Sequence, residues 1–278
     1  MKHIQICIRL VFFILIVRTG YAQNVPNYVP SDGLVLWMPF DGNADDESGN
    51  GNDGTVNGAS LTTDKNGNSS SAYDFNGTDD YIEVDASSSL DISTISFSCW
   101  MKANSYNPVI STLLAKNDYQ TAANEAYALG LRSSNQTYLG VKDFTCVPGQ
   151  GWLTDLQSAS QNFGNWTHIV YVYDNGNMSI YINGELNSST NLGGAIDFCD
   201  NEEVIIGNEW IGGTPTGFDG VIDEVGIWDR DLDECEIIAL YEESLISVDV
   251  SSTDETGNDF EDGTATAEAE GGTPPYEY

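Results

Sequence analysis

The stretch Asn165–Leu186, NWTHIVYVYDNGNMSIYINGEL, leaves this chain little choice but antiparallel β-structure. Two runs rich in Val, Ile, Tyr and Thr flank Asp174-Asn175-Gly176-Asn177, and Asn183-Gly184 closes a second turn. Asn-Gly steps supply the positive φ angles that tight hairpin turns require. In the second run Met178, Ile180 and Ile182 fall on one face, with Ser179, Tyr181 and Asn183 on the other. The first run is apolar on both faces, as suits a central strand of a layered structure.

Elsewhere Gly, Asn, Ser and Asp crowd the intervals between short apolar runs, which is the pattern of an all-β sandwich. Residues 1–22 form a separate unit. Lys2 and Arg9 precede the apolar run Val11–Val17, and Gly20 and Ala22 are small residues where a signal peptidase cuts. The run is too short to span a bilayer. The expectation is a cleaved signal peptide, a mature chain from about residue 23, and a secreted or cell-surface location without membrane insertion. The remaining length is enough for one substantial core.

Charge narrows the partners. The chain has nine Lys and Arg against 43 Asp and Glu, a formal net charge of −34, and three of the basic residues (Lys2, Arg9, Arg18) lie in the leader. Such an excess argues against nucleic acid or an anionic membrane as partner and favours divalent cations.

The hairpin pattern, W-T-H-I-V-x-V-Y-D followed by M-x-I-Y-I-N-G-E, resembles the signature of laminin-G-like jelly rolls in the concanavalin A-like lectin/glucanase superfamily. Residues 33–59, 72–84, 95–103 (ISFSCWMKA) and 220–242 carry further landmarks, so the likeness spans roughly residues 31–244. The resemblance implies a two-sheet antiparallel jelly-roll sandwich over 23–246, closed by a short C-terminal helix. That helix is expected over Asp231–Ser244, with Asp231 as cap and Glu234 at its third position. Beyond residue 246 the landmarks Asp262-Gly263, Ala265, Ala267 and GGTPPY (271–276) resemble the start of an adhesin-type repeat from surface proteins of gliding bacteria. The resemblance implies further repeats of a larger surface protein as neighbours, with an acidic disordered tail as the alternative for 247–278.

Four cysteines remain after the leader. Cys146 and Cys199 lie in loop-like contexts and are paired here; Cys99 with Cys235 would need the terminal helix to dock over the Cys99 strand, and two buried free thiols are the alternative. The loop Asp41–Gly54, DGNADDESGNGNDG, opens like a calcium loop at Asp41, Asn43 and Asp45, but Asp46 and Asn52 stand where an EF-hand has Gly and Glu. In GVIDEVGIW, Asp223 alternates in register with Val221, Val225 and Ile227, so it is expected on their inward face, where a carboxylate needs a cation or several donors. Related jelly rolls carry a structural calcium between an early loop and the last strand. By that resemblance Ca²⁺ is expected on Asp41, Asp46, Asn52 and Asp223.

Trp152 (GQGWL) and Trp210 (NEWIGG) fall in Gly-rich loops, where rings stack on sugar faces with Gln150, Asn208 and Asn162 as hydrogen-bonding amides. Trp100 alternates with Ser96 and Ser98 and is expected to line the concave surface. His168 is the single histidine after the leader, so no Ser–His–Asp set is available, and no strand carries the Glu-x-Asp-x-x-Glu of the hydrolytic relatives. The reading is a non-catalytic extracellular binding or adhesion module directed at polysaccharide or glycoprotein glycans. A structural spacer is the alternative, and a glycoside hydrolase comes third.

Overall fold

The computed structural model describes residues 25–105, 110–116, 127–132, 136–142, 152–160, 162–191, 202–211, 214–243, 247–253 and 264–270. Its strands begin with β1 (Leu34–Met38), β2 (Gly54–Asn57), β3 (Ser60–Thr62), β4 (Ala72–Asn76), β5 (Tyr81–Val84) and β6 (Ile95–Ala103). They continue with β7 (Ile110–Lys116), β8 (Tyr127–Arg132), β9 (Gln136–Lys142), β10 (Trp152–Gln157), β11 (Thr167–Asp174), β12 (Asn177–Ile182) and β13 (Glu185–Asn191). Then come β14 (Val204–Ile206), β15 (Trp210–Ile211), β16 (Thr214–Pro215), β17 (Asp219–Trp228), helix α1 (Glu234–Glu242), β18 (Ser247–Thr253) and β19 (Thr264–Glu270).

Two antiparallel sheets form the sandwich. One runs β13-β12-β11-β6-β17-β4-β3 with β1 also paired to β17; the other runs β10-β9-β8-β7-β14-β5-β2. The signature stretch is the consecutive ladder β11-β12-β13, with Asn175 and Asn183 at φ 45° and 52° in the turns. Phe97, Cys99, Met101, Ile180, Ile222, Val225 and Ile227 from the first sheet meet Leu114, Leu129, Leu139, Val204 and Ile206 from the second in one dry core. Each such aliphatic side chain contributes about 1.5–3 kcal/mol on burial.

The outer face of the eight-stranded sheet has its own apolar cover. Trp37, Val170, Val172 and Trp228 pack under Leu232 of the lead-in, Ile237 and Leu240 of the helix, and the Val25–Val29 segment. The helix starts two residues later than expected: Asp233 is its N-cap, and the capping box closes with Glu236. The cause is visible in the bonds, since Arg230 pairs with Glu236 at 2.7 Å and Leu232 N–H donates to Ser96 Oγ, fixing residues 230–232 as an extended lead-in.

Cys99 is a free thiol buried in the core, so it does not pair with Cys235. Its side chain points between the sheets, whereas the helix lies on the opposite face. Cys146 and Cys199 lie outside the described residues, as does the leader 1–22. Residues 264–270 do form a strand, paired with β18 as a separate two-stranded ribbon. Among the described residues no helix is long and apolar enough to cross a membrane.

Candidate functional site

A cleft of about 290 Å³ opens where the loop after β1, the turn before β4 and the middle of β17 converge. Five carboxylates line it, from Asp41, Glu47, Asp64, Asp223 and Glu224, with the amides of Asn43, Asn66 and Asn68 and the rings of Tyr28 and Trp37.

Asp223 comes to this cleft through a β-bulge. Asp223 pairs with Trp100 and Gly226 with Ser98, so Glu224 and Val225 together oppose Cys99 alone. Glu224 adopts φ 49°, in the left-handed region. The extra residue reverses the alternation. Asp223 therefore keeps the face of Val221, while Val225 and Ile227 join Ile222 in the core. The expectation that Asp223 shares the inward face of Val225 and Ile227 is corrected by this single inserted residue.

Asp223 is 2% exposed, and its Oδ1 accepts from the Glu224 N–H at 2.8 Å. Burial, and then the Glu224 charge, raise its pKa to about 8. Burial also raises Glu224, opposed by Lys65. Lys65 Nζ binds Glu224 at 2.8 Å and Glu243 at 2.6 Å, and sits 4.9 Å from the centroid of the Trp100 ring. This ammonium ties the turn before β4 to the bulge and to the end of the helix. Tyr28 is held protonated by burial and then by the surrounding carboxylates.

The four expected calcium ligands do not meet. Asp41 and Asp223 line the same cleft. Asp46 is spent inside its own loop: Oδ1 accepts from the N–H groups of Trp37 (3.0 Å) and Ser48 (2.9 Å), and Oδ2 from Ser48 Oγ (2.8 Å) and Asn52 N–H (3.0 Å). Asn52 is buried, with its amide donating to Val35 O (2.9 Å) and Ser89 Oγ (3.0 Å). Among the described residues no group of three or more His, Cys, Asp or Glu side chains is placed to hold a metal ion. Asp46→Ala leaves four donors without their acceptor and is expected to cost about 2–3 kcal/mol of stability. A urea titration with unchanged slope and a lower midpoint checks it.

The expected ligand-binding residues lie away from this cleft and are not gathered on one sheet. Trp152 opens β10, paired with Lys142, and Trp210 opens the β15–β16 ribbon, paired with Pro215. Both are strand residues where loops were expected; their side chains, and Gln150 altogether, lie outside the described residues. Asn208 is fully buried, and its amide fastens the loop: Nδ2 donates to Thr78 O at 3.2 Å and Oδ1 accepts from Glu209 N–H at 2.8 Å. Asn162 is exposed in a turn, accepting from Gly164 N–H.

Trp100 does not line an open surface. It is buried against Tyr241 of the helix (centroids 5.7 Å apart) and His168 (5.2 Å). Ser98 Oγ lies 2.8 Å from His168 Nε2, but among the described residues His168 Nδ1 has no hydrogen-bond partner and no carboxylate orients the ring. Burial, and then Lys65, depress its pKa to about 3. A neutral, covered imidazole without an orienting acid cannot run the acyl-transfer chemistry of a triad.

Sequence reading found Asp41 and Asp223 but missed Lys65, Asp64, Asn66 and Asn68. The motif Asp64-Lys65-Asn66-Gly67-Asn68 was the signal: an Asx turn in which Asp64 Oδ1 accepts from the N–H groups of Asn66 (2.9 Å) and Asn68 (2.7 Å).

A laminin G profile described as concanavalin A-like lectin/glucanases superfamily matches residues 76–238. Among solved structures, domain 4 of AbnA, a GH43 extracellular arabinanase from Geobacillus stearothermophilus solved with arabinotriose, superposes with a TM-score of 0.59 at 22% identity, over 75% of this chain and 98% of that domain. The binding domain of Paraclostridial Mosquitocidal Protein 1 gives a TM-score of 0.62 at 19% identity over 77% of this chain. The binding domain of botulinum neurotoxin DC, solved with SialylT, gives 0.60 at 17% identity over 77% of this chain. The match covers 52% of each toxin domain, about half its length. The search of curated proteins returns no match.

Proposed function

This chain belongs to the concanavalin A-like lectin/glucanases superfamily, and from that premise we propose that it is an exported, non-catalytic module that binds carbohydrate. The observation that carries the reading is the cleft: carboxylates and amides placed for sugar hydroxyls beside the rings of Tyr28 and Trp37, on a rigid sandwich. Hydroxyl groups both donate and accept, so a lining of carboxylates and carboxamides matches them, while the half-buried Tyr28 ring offers its face to the apolar side of a pyranose. Solved structures of the same fold, in complex with arabinotriose and with SialylT, lend the same direction. The Ser98–His168 contact is sealed beneath the helix and gives no nucleophile an opening to substrate.

The test is a glycan array on the whole chain, with calcium and with chelator, followed by product analysis on any glycan retained. Retention without cleavage supports the proposal, and Asp41→Asn should weaken it. Chelator sensitivity would place a cation at the cleft rim. Release of shortened glycan would overturn the non-catalytic reading, and no retention on any glycan would favour the spacer.

A further inference from the structure

We propose that the cleft selects an amino sugar bearing a free, protonated amine. This rests on the carbohydrate reading and names the class of sugar. Its first support is unbalanced charge. Of the five carboxylates, Glu224 is neutralised by Lys65, Lys65 is committed again to Glu243, and Asp223 is held protonated by burial, so Asp41, Glu47 and Asp64 face the cleft with no cation of their own among the described residues. The acids are spread round the opening rather than convergent, since no three of them could hold one metal ion. A spread set suits an ammonium on a larger ligand, which donates three hydrogen bonds in different directions.

The second support is independent of those charges. Trp37 lines the cleft, is 1% exposed, and its Nε1–H has no hydrogen-bond partner among the described residues. Asp223, 2% exposed, uses Oδ1 on the Glu224 N–H and has no bond to Oδ2 among the described residues. A buried donor without an acceptor costs about 1–3 kcal/mol, which a ligand acceptor would recover. A bare cation offers no acceptor. A sugar offers ring and hydroxyl oxygens to Trp37 and its ammonium to the carboxylates, and so meets both demands. The volume, near the lower end for ligand clefts, holds a terminal residue rather than a chain. Sialylated and uronate sugars bring negative charge and are excluded by the same wall.

Isothermal titration of the whole chain with fully deacetylated chitotetraose, its N-acetylated counterpart and spermine tests this. The deacetylated sugar should bind at least about tenfold more tightly than the acetylated one, as loss of one close ion pair predicts. Asp41→Asn/Glu47→Gln, which touches neither Lys65 nor Asp223, should remove that preference; Asp41→Asn alone serves if the double variant melts early. Equal binding of the two sugars would overturn the amine inference and leave the glycan reading standing. Spermine binding as tightly, or an unchanged preference in the variant, would overturn it by showing attraction to the acidic surface at large. No binding of either sugar would overturn it too, with the glycan array then deciding the wider reading alone.

Discussion

Trp228→Ala is expected to lower stability by about 3–5 kcal/mol, the range for removing a buried large aromatic. For a domain of this size that is about 6–20 °C in melting temperature. The ring is fully buried, its Nε1–H donates to Pro30 O at 2.7 Å, and it packs over Gly226 beside Trp37. A Cβ on Gly226 would come within 2.4 Å of the Trp228 ring, so the strand keeps a glycine there to let both indoles lie flat. Truncation opens a void that neither the helix nor the Val25–Val29 segment can close without leaving its own contacts. Leu186→Ala, at a side chain 51% exposed, is the control and should stay within about 0.5 kcal/mol of wild type. Chemical denaturation of both variants checks the pair.

The second large effect is electrostatic. Lys65→Met leaves Glu224 and Glu243 without their shared cation, and removing one partner of a buried pair costs about 3–5 kcal/mol. The cost should depend on pH with an unusual sign. Asp223 has a folded pKa of about 8 against 3.8 for an unperturbed carboxyl, so the folded state holds a proton that the unfolded chain releases. Its stabilising contribution is full below about pH 4 and is lost as pH rises through 8. Wild type should thus be less stable at pH 8 than at pH 5, and Asp223→Asn should flatten that slope. In Lys65→Met the slope should steepen, because Lys65 is what lowers both Asp223 and Glu224. Urea midpoints at pH 5 and 8 read all three; a variant penalty equal at both values would remove the buried-charge account.

Much of this fold is legible from local pattern. The ladder β11-β12-β13 follows from its Asn-Gly turns and alternation, because both signals act within a few residues. The site is less legible, for two reasons. A bulge is an insertion of one residue in register, and nothing in GVIDEVGIW marks Glu224 as the position that goes left-handed; hence Asp223 was placed on the wrong face. The cleft also gathers residues far apart in sequence, Lys65 and Glu224 being separated by 159 positions, so no window shows them together. Asn208 and Trp100 illustrate the same limit. Residue type suggested surface recognition, but tertiary packing buried both.

Among the described residues the strand β1 pairs with β17 alone, with Leu34 opposite Trp228. The chain therefore comes in and goes out at one end of an antiparallel pair. Three bonds stitch that end: Trp228 Nε1 to Pro30 O, Arg230 Nε to Asp32 O, and Asp229 N to Gly33 O. Mechanical load applied between residues 30 and 230 would fall on these bonds in sequence, peeling the ladder open one rung at a time rather than shearing many rungs together. Under tension the molecule would behave as a zip fastener whose pull tab is the Pro30–Arg230 junction, yielding there while the sandwich behind it stays closed.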